Sequence, residues 1–271
     1  MIPTASLITC AISLAVSLLL PVLVLAVFAL RNRKQGILSA WLLGAAGFVV
    51  TQLLIRVPIL NALATQDWFL RFSQEHLFLY AFSLAFTAGL FELAGRFAVA
   101  KLMRKNLTRN RSLAAGLGHG GIEAMVLVGI TYVNNLVYMT MINAGTFDTV
   151  VAQTAAMGVD VSQLELIRQQ LLTTSPILFL LGGFERILAM TAHVAMSMLV
   201  CYGVAHKKVL PCTLVCLLIH TFIDLTAGLT LVLPQATAYI IIYSILVAVA
   251  AVSVLIIRRI RSSWKEDSHE K

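Results

Sequence analysis

Residues Leu113–Ile142 read LAAGLGHGGIEAMVLVGITYVNNLVYMTMI, thirty residues without one lysine, arginine or aspartate. A helix needs about 20 mainly apolar residues to cross a bilayer, so the length of this run decides the fold: it is a transmembrane helix. Its exceptions, His119 and Glu123 inside GLGHGGIEA, decide where to look for chemistry. Six more runs of spanning length surround it: Ala5–Leu30, Ile37–Leu63, His76–Ala100, Ser175–Val204, Leu210–Leu233 and Ala236–Ile257. The chain is therefore expected to be an all-α polytopic membrane protein, a bundle of about seven transmembrane helices. Residues 1–257 would form the integral domain and 258–271 a cytoplasmic basic tail.

Composition agrees. Hydrophobic residues make up 59% of the 271 and charged residues 12%, about half the share usual in soluble domains. The net charge of +8 would suggest nucleic acid in a soluble protein, but its distribution follows topology instead. Arg31, Arg33 and Lys34, then Lys101, Arg104, Lys105, Arg109 and Arg111, then Lys207 and Lys208, then Arg258, Arg259, Arg261, Lys265 and Lys271 all fall on one side. Those are fifteen of the twenty basic residues, and the opposite loops hold only Arg71 and Arg168. The positive-inside rule makes the rich side cytoplasmic. The expected placement is the plasma membrane, with the N-terminus outside, the C-terminus inside and no nucleic-acid partner.

The first run has no basic residues before it and is too long for a cleavable signal. Cys10, Cys201, Cys212 and Cys216 lie in or beside spans without a C-x-x-C pair, as small packing residues do. In the long loop after span four, DVSQLELIRQQLL (160–172) lines up Val161, Leu164, Ile167 and Leu171 at helical spacing. That stripe suits a helix lying at the interface, or a lid over a site. The tail RSSWKEDSHEK reads as solvated, with no motif at Trp264 or His269.

An ionisable group at mid-membrane costs roughly 2.5–3.5 kcal/mol even on insertion scales. Spans three to six nevertheless carry Glu92 and Arg96 in FELAGRF, His119 and Glu123, Glu185, Arg186 and His193 in GGFERILAMTAHVAMS, and His220 and Asp224 in HTFID. Glu92/Arg96, His119/Glu123 and His220/Asp224 are i,i+4 pairs that share helix faces. Counted at 1.5 Å per residue from the basic clusters, Glu92 and His119 lie about 12–14 Å deep and Glu123, His193 and His220 about 18 Å. Helices running in opposite directions thus place these groups in one layer. Each pair alone could be structural glue; together they predict a site on helices three to six. Arg56, near Pro58, reads as snorkelling. Adjacent Glu185 and Arg186 face apart and would seek partners on other helices. Gly116, Gly118, Gly120, Gly121, Gly182 and Gly183 serve close helix approach, or leave room for substrate or water.

These motifs resemble the YhfC-type membrane peptidases, within the CAAX-protease and bacteriocin-processing superfamily of intramembrane proteases. The resemblance covers most of the chain, with GLGHGGIEA its most specific string. FELAGRF matches the superfamily's motif of a Glu-Glu pair followed by Arg or Lys through Glu92 and Arg96, GLGHGG its histidine through His119, and HTFID its H-x-x-x-N/D motif through His220 and Asp224. Leu93 stands where the pattern often has a second Glu, so the essential carboxylate is Glu92, or Glu123 on the neighbouring helix.

The function implied is peptide-bond hydrolysis in or next to the membrane, on a membrane-embedded protein or peptide. Glu92 or Glu123 would be the base, His119 and His220 water or oxyanion partners, and Asp224 the group fixing a histidine tautomer. Arg96 would hold Glu92 ionised, and Glu185, Arg186 and His193 would form a supporting or substrate-facing shell. The enzyme would be glutamic-type or metal-dependent. Without an H-E-x-x-H pair no cofactor is favoured; the alternative is zinc on His119, His193 and His220. A proton-coupled transporter also gathers such groups, and an inactive substrate-binding scaffold is the third reading.

Overall fold

The computed structural model describes residues 1–33 and 35–264, and among these it contains helices and no strand. Seven helical stretches are long and apolar enough to cross a membrane: Thr4–Arg31, Ile37–Leu63, Leu77–Leu102, Arg109–Ala144, Pro176–Ala205, Val209–Leu231 and Gln235–Ser263. They match the seven apolar runs of the sequence, with ends moved by a few residues. Residues 265–271 of the tail, with His269, lie outside the described residues.

The first stretch is α1. The second is not one regular helix: α2 (Ile37–Phe48) passes through a π segment, Val49–Arg56, into α3 (Val57–Leu63). A short α4 (Asp67–Glu75) precedes α5 (Leu77–Leu102). The fourth stretch is interrupted likewise: α6 (Arg109–Glu123) runs into a π segment, Ala124–Gly129, and then α7 (Ile130–Ala144). After α8 (Phe147–Ala156) and α9 (Ser162–Thr173) come α10 (Pro176–Ala205), α11 (Val209–Thr226) and α12 (Gln235–Ser263). π segments occur mostly as single turns inside α-helices, often at functional sites. Here one contains Gln52, and the other begins directly after Glu123.

By its contacts the chain divides into two compact units. The first comprises Met1–Val22 and Ala124–Ile187. Its α1 portion presents a seam of small residues, Ser6, Cys10, Ser13, Ser17 and Pro21, all buried. Small side chains let helix backbones approach closely, and Ser13 Oγ donates to Phe179 O at 2.7 Å, as does Tyr132 Oη at 2.7 Å. Ile2, Cys10, Tyr132, Met139, Leu171 and Phe179 form its core. The loop stripe holds: Leu171 of α9 is buried, and Ile167 packs on this core. Gly145, in the left-handed conformation at φ 72°, ends α7. Two hydrogen bonds from Ser162, the backbone N–H first and then the hydroxyl, hold the exposed Asp160 carboxylate below its ordinary range.

The second unit comprises Leu23–Glu123 and Leu188–Lys271. α2 and α6 meet backbone to backbone. A Cβ on Gly44 would lie 1.9 Å from Ala115 O, and one on Gly118 2.0 Å from Trp41 O, so only glycine fits at either place. Gly95 of α5 faces Gly47 O, and Gly120 of α6 faces the His193 side chain of α10, each at 2.8 Å from a built Cβ. At Gly116, Gly118 and Gly120 the space is thus filled by a neighbouring helix. α12 continues to Ser263, and Trp264 beyond it is buried, with ring centroids 5.8 Å from Tyr202 and 5.4 Å from His206. All four cysteines are reduced and buried.

Candidate active site

α5 carries Glu92 into the second unit one turn before Arg96, and both are buried. Glu92 gathers donors from its own helix and from two other segments. Its Oε1 accepts from Gln52 Nε2 at 2.7 Å. Its Oε2 lies 2.9 Å from both Arg96 Nη2 and His119 Nε2. A carboxylate only accepts, so His119 carries its hydrogen on Nε2 in this contact. His119 itself is held edge-on against Phe48 at 5.4 Å between centroids and stacked on His193 at 5.4 Å.

Arg96 Nη2 also reaches His193 Nδ1, at 2.7 Å. A guanidinium has donors and no acceptor, so Nδ1 of His193 is the unprotonated nitrogen. Its hydrogen is then on Nε2, which lies 2.8 Å from Glu123 Oε2. The tautomer of His193 is thus set by Arg96. His220, on α11, completes the group: Nε2 is 3.2 Å from Asp224 Oδ2, and Nδ1 faces Glu92 Oε2 at 3.5 Å. By the same acceptor argument Nε2 bears the hydrogen, which leaves Nδ1 as the nitrogen turned toward Glu92. Asp224 is the most open member, its side chain 36% exposed against 5% for Glu92.

Seven of the nine residues predicted from the sequence therefore meet in one network: Glu92, Arg96, His119, Glu123, His193, His220 and Asp224. Glu185 and Arg186 belong to the first unit, and there Arg186 Nη2 bonds Glu185 Oε1. Adjacent positions on a helix face apart, yet the long guanidinium also reaches its neighbour. Sequence reasoning overlooked Gln52. Arg56, read as snorkelling, donates instead to Gln52 Oε1 at 3.3 Å and to Leu84 O at 2.7 Å.

One ligand atom from each of Glu92, His119, Glu123 and His193 lies within 4.8 Å of all the others. Two imidazoles and two carboxylates make a donor set suited to zinc and other borderline divalent ions. The close contacts between them, 2.9 Å for His119–Glu92 and 2.8 Å for His193–Glu123, bring the donors together from α5, α6 and α10. The residues fit a metal ion. His220 lies outside this foursome. Against Arg96 and His119 a cavity of about 10 Å³, lined also by Gly44 and Ser197, has the volume a single water needs.

Comparison with known proteins agrees with this geometry. Residues 16–250 match the model of a family described as YhfC intramembrane metalloprotease. The chain is also 30% identical over 255 residues to the Bacillus subtilis (strain 168) protein described as "Uncharacterized membrane protein YhfC", covering 92% of this chain and 95% of that protein. No solved structure matches. With the match running from the first span into the seventh, and the buried Glu/His network within it, the chain belongs to the YhfC intramembrane metalloprotease family.

Proposed function

We propose that this protein is a metal-dependent endopeptidase that cleaves peptide bonds of membrane-embedded proteins or peptides in or next to the bilayer. The observation that carries the reading is the convergence of Glu92, His119, Glu123 and His193 within 4.8 Å, three of them buried and all four on helices long and apolar enough to cross a membrane. A local H-E-x-x-H motif is unnecessary when three helices supply the donors.

In this reading Glu92, His119 and His193 hold the ion, and Glu123 stands at the edge of the group. Bound there, a divalent ion would polarise the scissile carbonyl and acidify water. The remaining work falls to the chain's own residues. Glu123, its side chain 12% exposed, takes the proton of the attacking water as general base. Arg96 neutralises Glu92, so that the buried carboxylate stays ionised. Asp224 holds hydrogen on Nε2 of His220 and offsets its charge once Nδ1 is protonated. His220 would then give that Nδ1 proton to the leaving amine and be restored by the proton that Glu123 has taken from the water.

The test uses the purified full-length protein in lipid nanodiscs. Wild type should carry about one divalent ion per chain by elemental analysis, and His119→Ala and His193→Ala should lose it. Glu123→Gln should retain the ion while cleavage falls by about 100- to 10,000-fold, the usual worth of a general base. Substrates would be found by comparing membrane proteomes of wild-type and Glu123→Gln cells for fragments ending at transmembrane segments. Identical fragments alongside a changed solute uptake would replace the protease with a transporter.

A further inference from the structure

We infer that Gln52 is a positioning residue for Glu92, itself aimed by Arg56, and that the π segment of the second span exists to hold this relay. The inference rests on the reading of Glu92 as a site carboxylate. Gln52 is buried, at 6% exposure, and its amide is constrained at both ends. Nε2 donates to Glu92 Oε1 at 2.7 Å and lies 3.5 Å from Ala88 O. Oε1 accepts from Arg56 Nη1 at 3.3 Å.

The direction of the amide follows from chemistry. An ionised carboxylate has no hydrogen to give and a guanidinium has no lone pair to offer. A flipped Gln52 would therefore set oxygen against oxygen at Glu92 and nitrogen against nitrogen at Arg56. Arg56 is in turn anchored on α5 by Leu84 O at 2.7 Å, with Thr87 Oγ1 at 3.4 Å from Nε and Nη2. Both ends of the relay thus rest on the helix that bears Glu92. Gln52 and Arg56 stand four positions apart, and both fall within the π segment Val49–Arg56. The consequence for the site is an allocation of lone pairs. With Gln52 on Oε1, Glu92 presents Oε2 to Arg96, His119 and whatever the site binds. Partners of this kind behind a ligand commonly govern metal affinity.

The test compares Gln52→Leu, Gln52→Asn and Arg56→Met in full-length protein in nanodiscs. Two readouts are taken: the Glu92 carboxylate infrared band, identified by its loss in Glu92→Gln, and zinc affinity by chelator competition. Gln52→Leu should shift the band and weaken zinc by about 10- to 100-fold. Arg56→Met should do the same more weakly, and should add little on top of Gln52→Leu, since coupled residues are non-additive. Gln52→Asn keeps an amide that is one methylene short. It should behave as Gln52→Leu does, and it serves if the leucine variant does not fold. An unshifted Glu92 band in both Gln52 variants overturns the proposal, even if zinc binding weakens, because the loss would then be structural. A shifted band in a protein whose wild type binds no zinc would remove the metal reading and leave the positioning role standing.

Discussion

At His220 the position of the hydrogen follows from its partner: the Asp224 carboxylate 3.2 Å from Nε2 can only accept. An asparagine at this position keeps one carbonyl oxygen for that bond, whereas an alanine keeps none. Asp224→Ala should therefore lower cleavage by about 10- to 100-fold, the typical loss for a residue that orients a site histidine. Asp224→Asn should lose less, and imidazole ¹⁵N shifts should report His220 keeping its Nε2–H in the asparagine variant only. Equal losses in both would mean that the negative charge of Asp224, rather than its acceptor, does the work. Most of this network was legible in the sequence because each member is an ionisable group in an apolar run, where water cannot account for it. Gln52 was not, because a neutral amide in such a run carries no charge to draw notice. Arg56 was placed too near the outer end of its run, where an arginine ordinarily reaches for water.

The helices that carry these residues are spaced by glycine, and the spacing is unforgiving in a way that can be measured. A methyl group on Gly118 would overlap the carbonyl of Trp41, so α2 and α6 would have to part. A methyl group on Gly228 meets nothing nearer than Ala81 Cβ at 3.7 Å. Gly118→Ala should cost about 1–3 kcal/mol, as overpacking does, and lower the thermal midpoint in detergent, while Gly228→Ala should leave it unchanged. If both variants melt with wild type, the tight α2–α6 contact is not a feature of the protein in solution. Seven spans and their approximate ends could be read from apolar length alone. The two π segments could not: Val49–Arg56 and Ala124–Gly129 continue the composition of the helices around them, and a change of pitch leaves no mark on hydropathy. α8 was missed for a related reason, since a short helix outside the membrane has no spanning length to announce it.

For the molecule as a whole, the fifteen basic residues gathered on alternate connections predict which face meets the cytoplasm. Cysteines introduced at the exposed positions Lys105 and Lys208 should react with a membrane-impermeant maleimide only after cells are opened. One at Met157, 73% exposed, should react in intact cells, and the reverse pattern would invert the topology. The described part of the last helix carries three of these fifteen residues, Arg258, Arg259 and Arg261, and ends at a Trp264 docked on Tyr202 and His206. Such labelling usually begins by stripping a protein of its own thiols, at the risk of disturbing what is to be observed. Here Cys10, Cys201, Cys212 and Cys216 are all closed off within the helical packing, and wild type is already a blank background. Dyes or spin labels can then be attached to an otherwise unaltered protein.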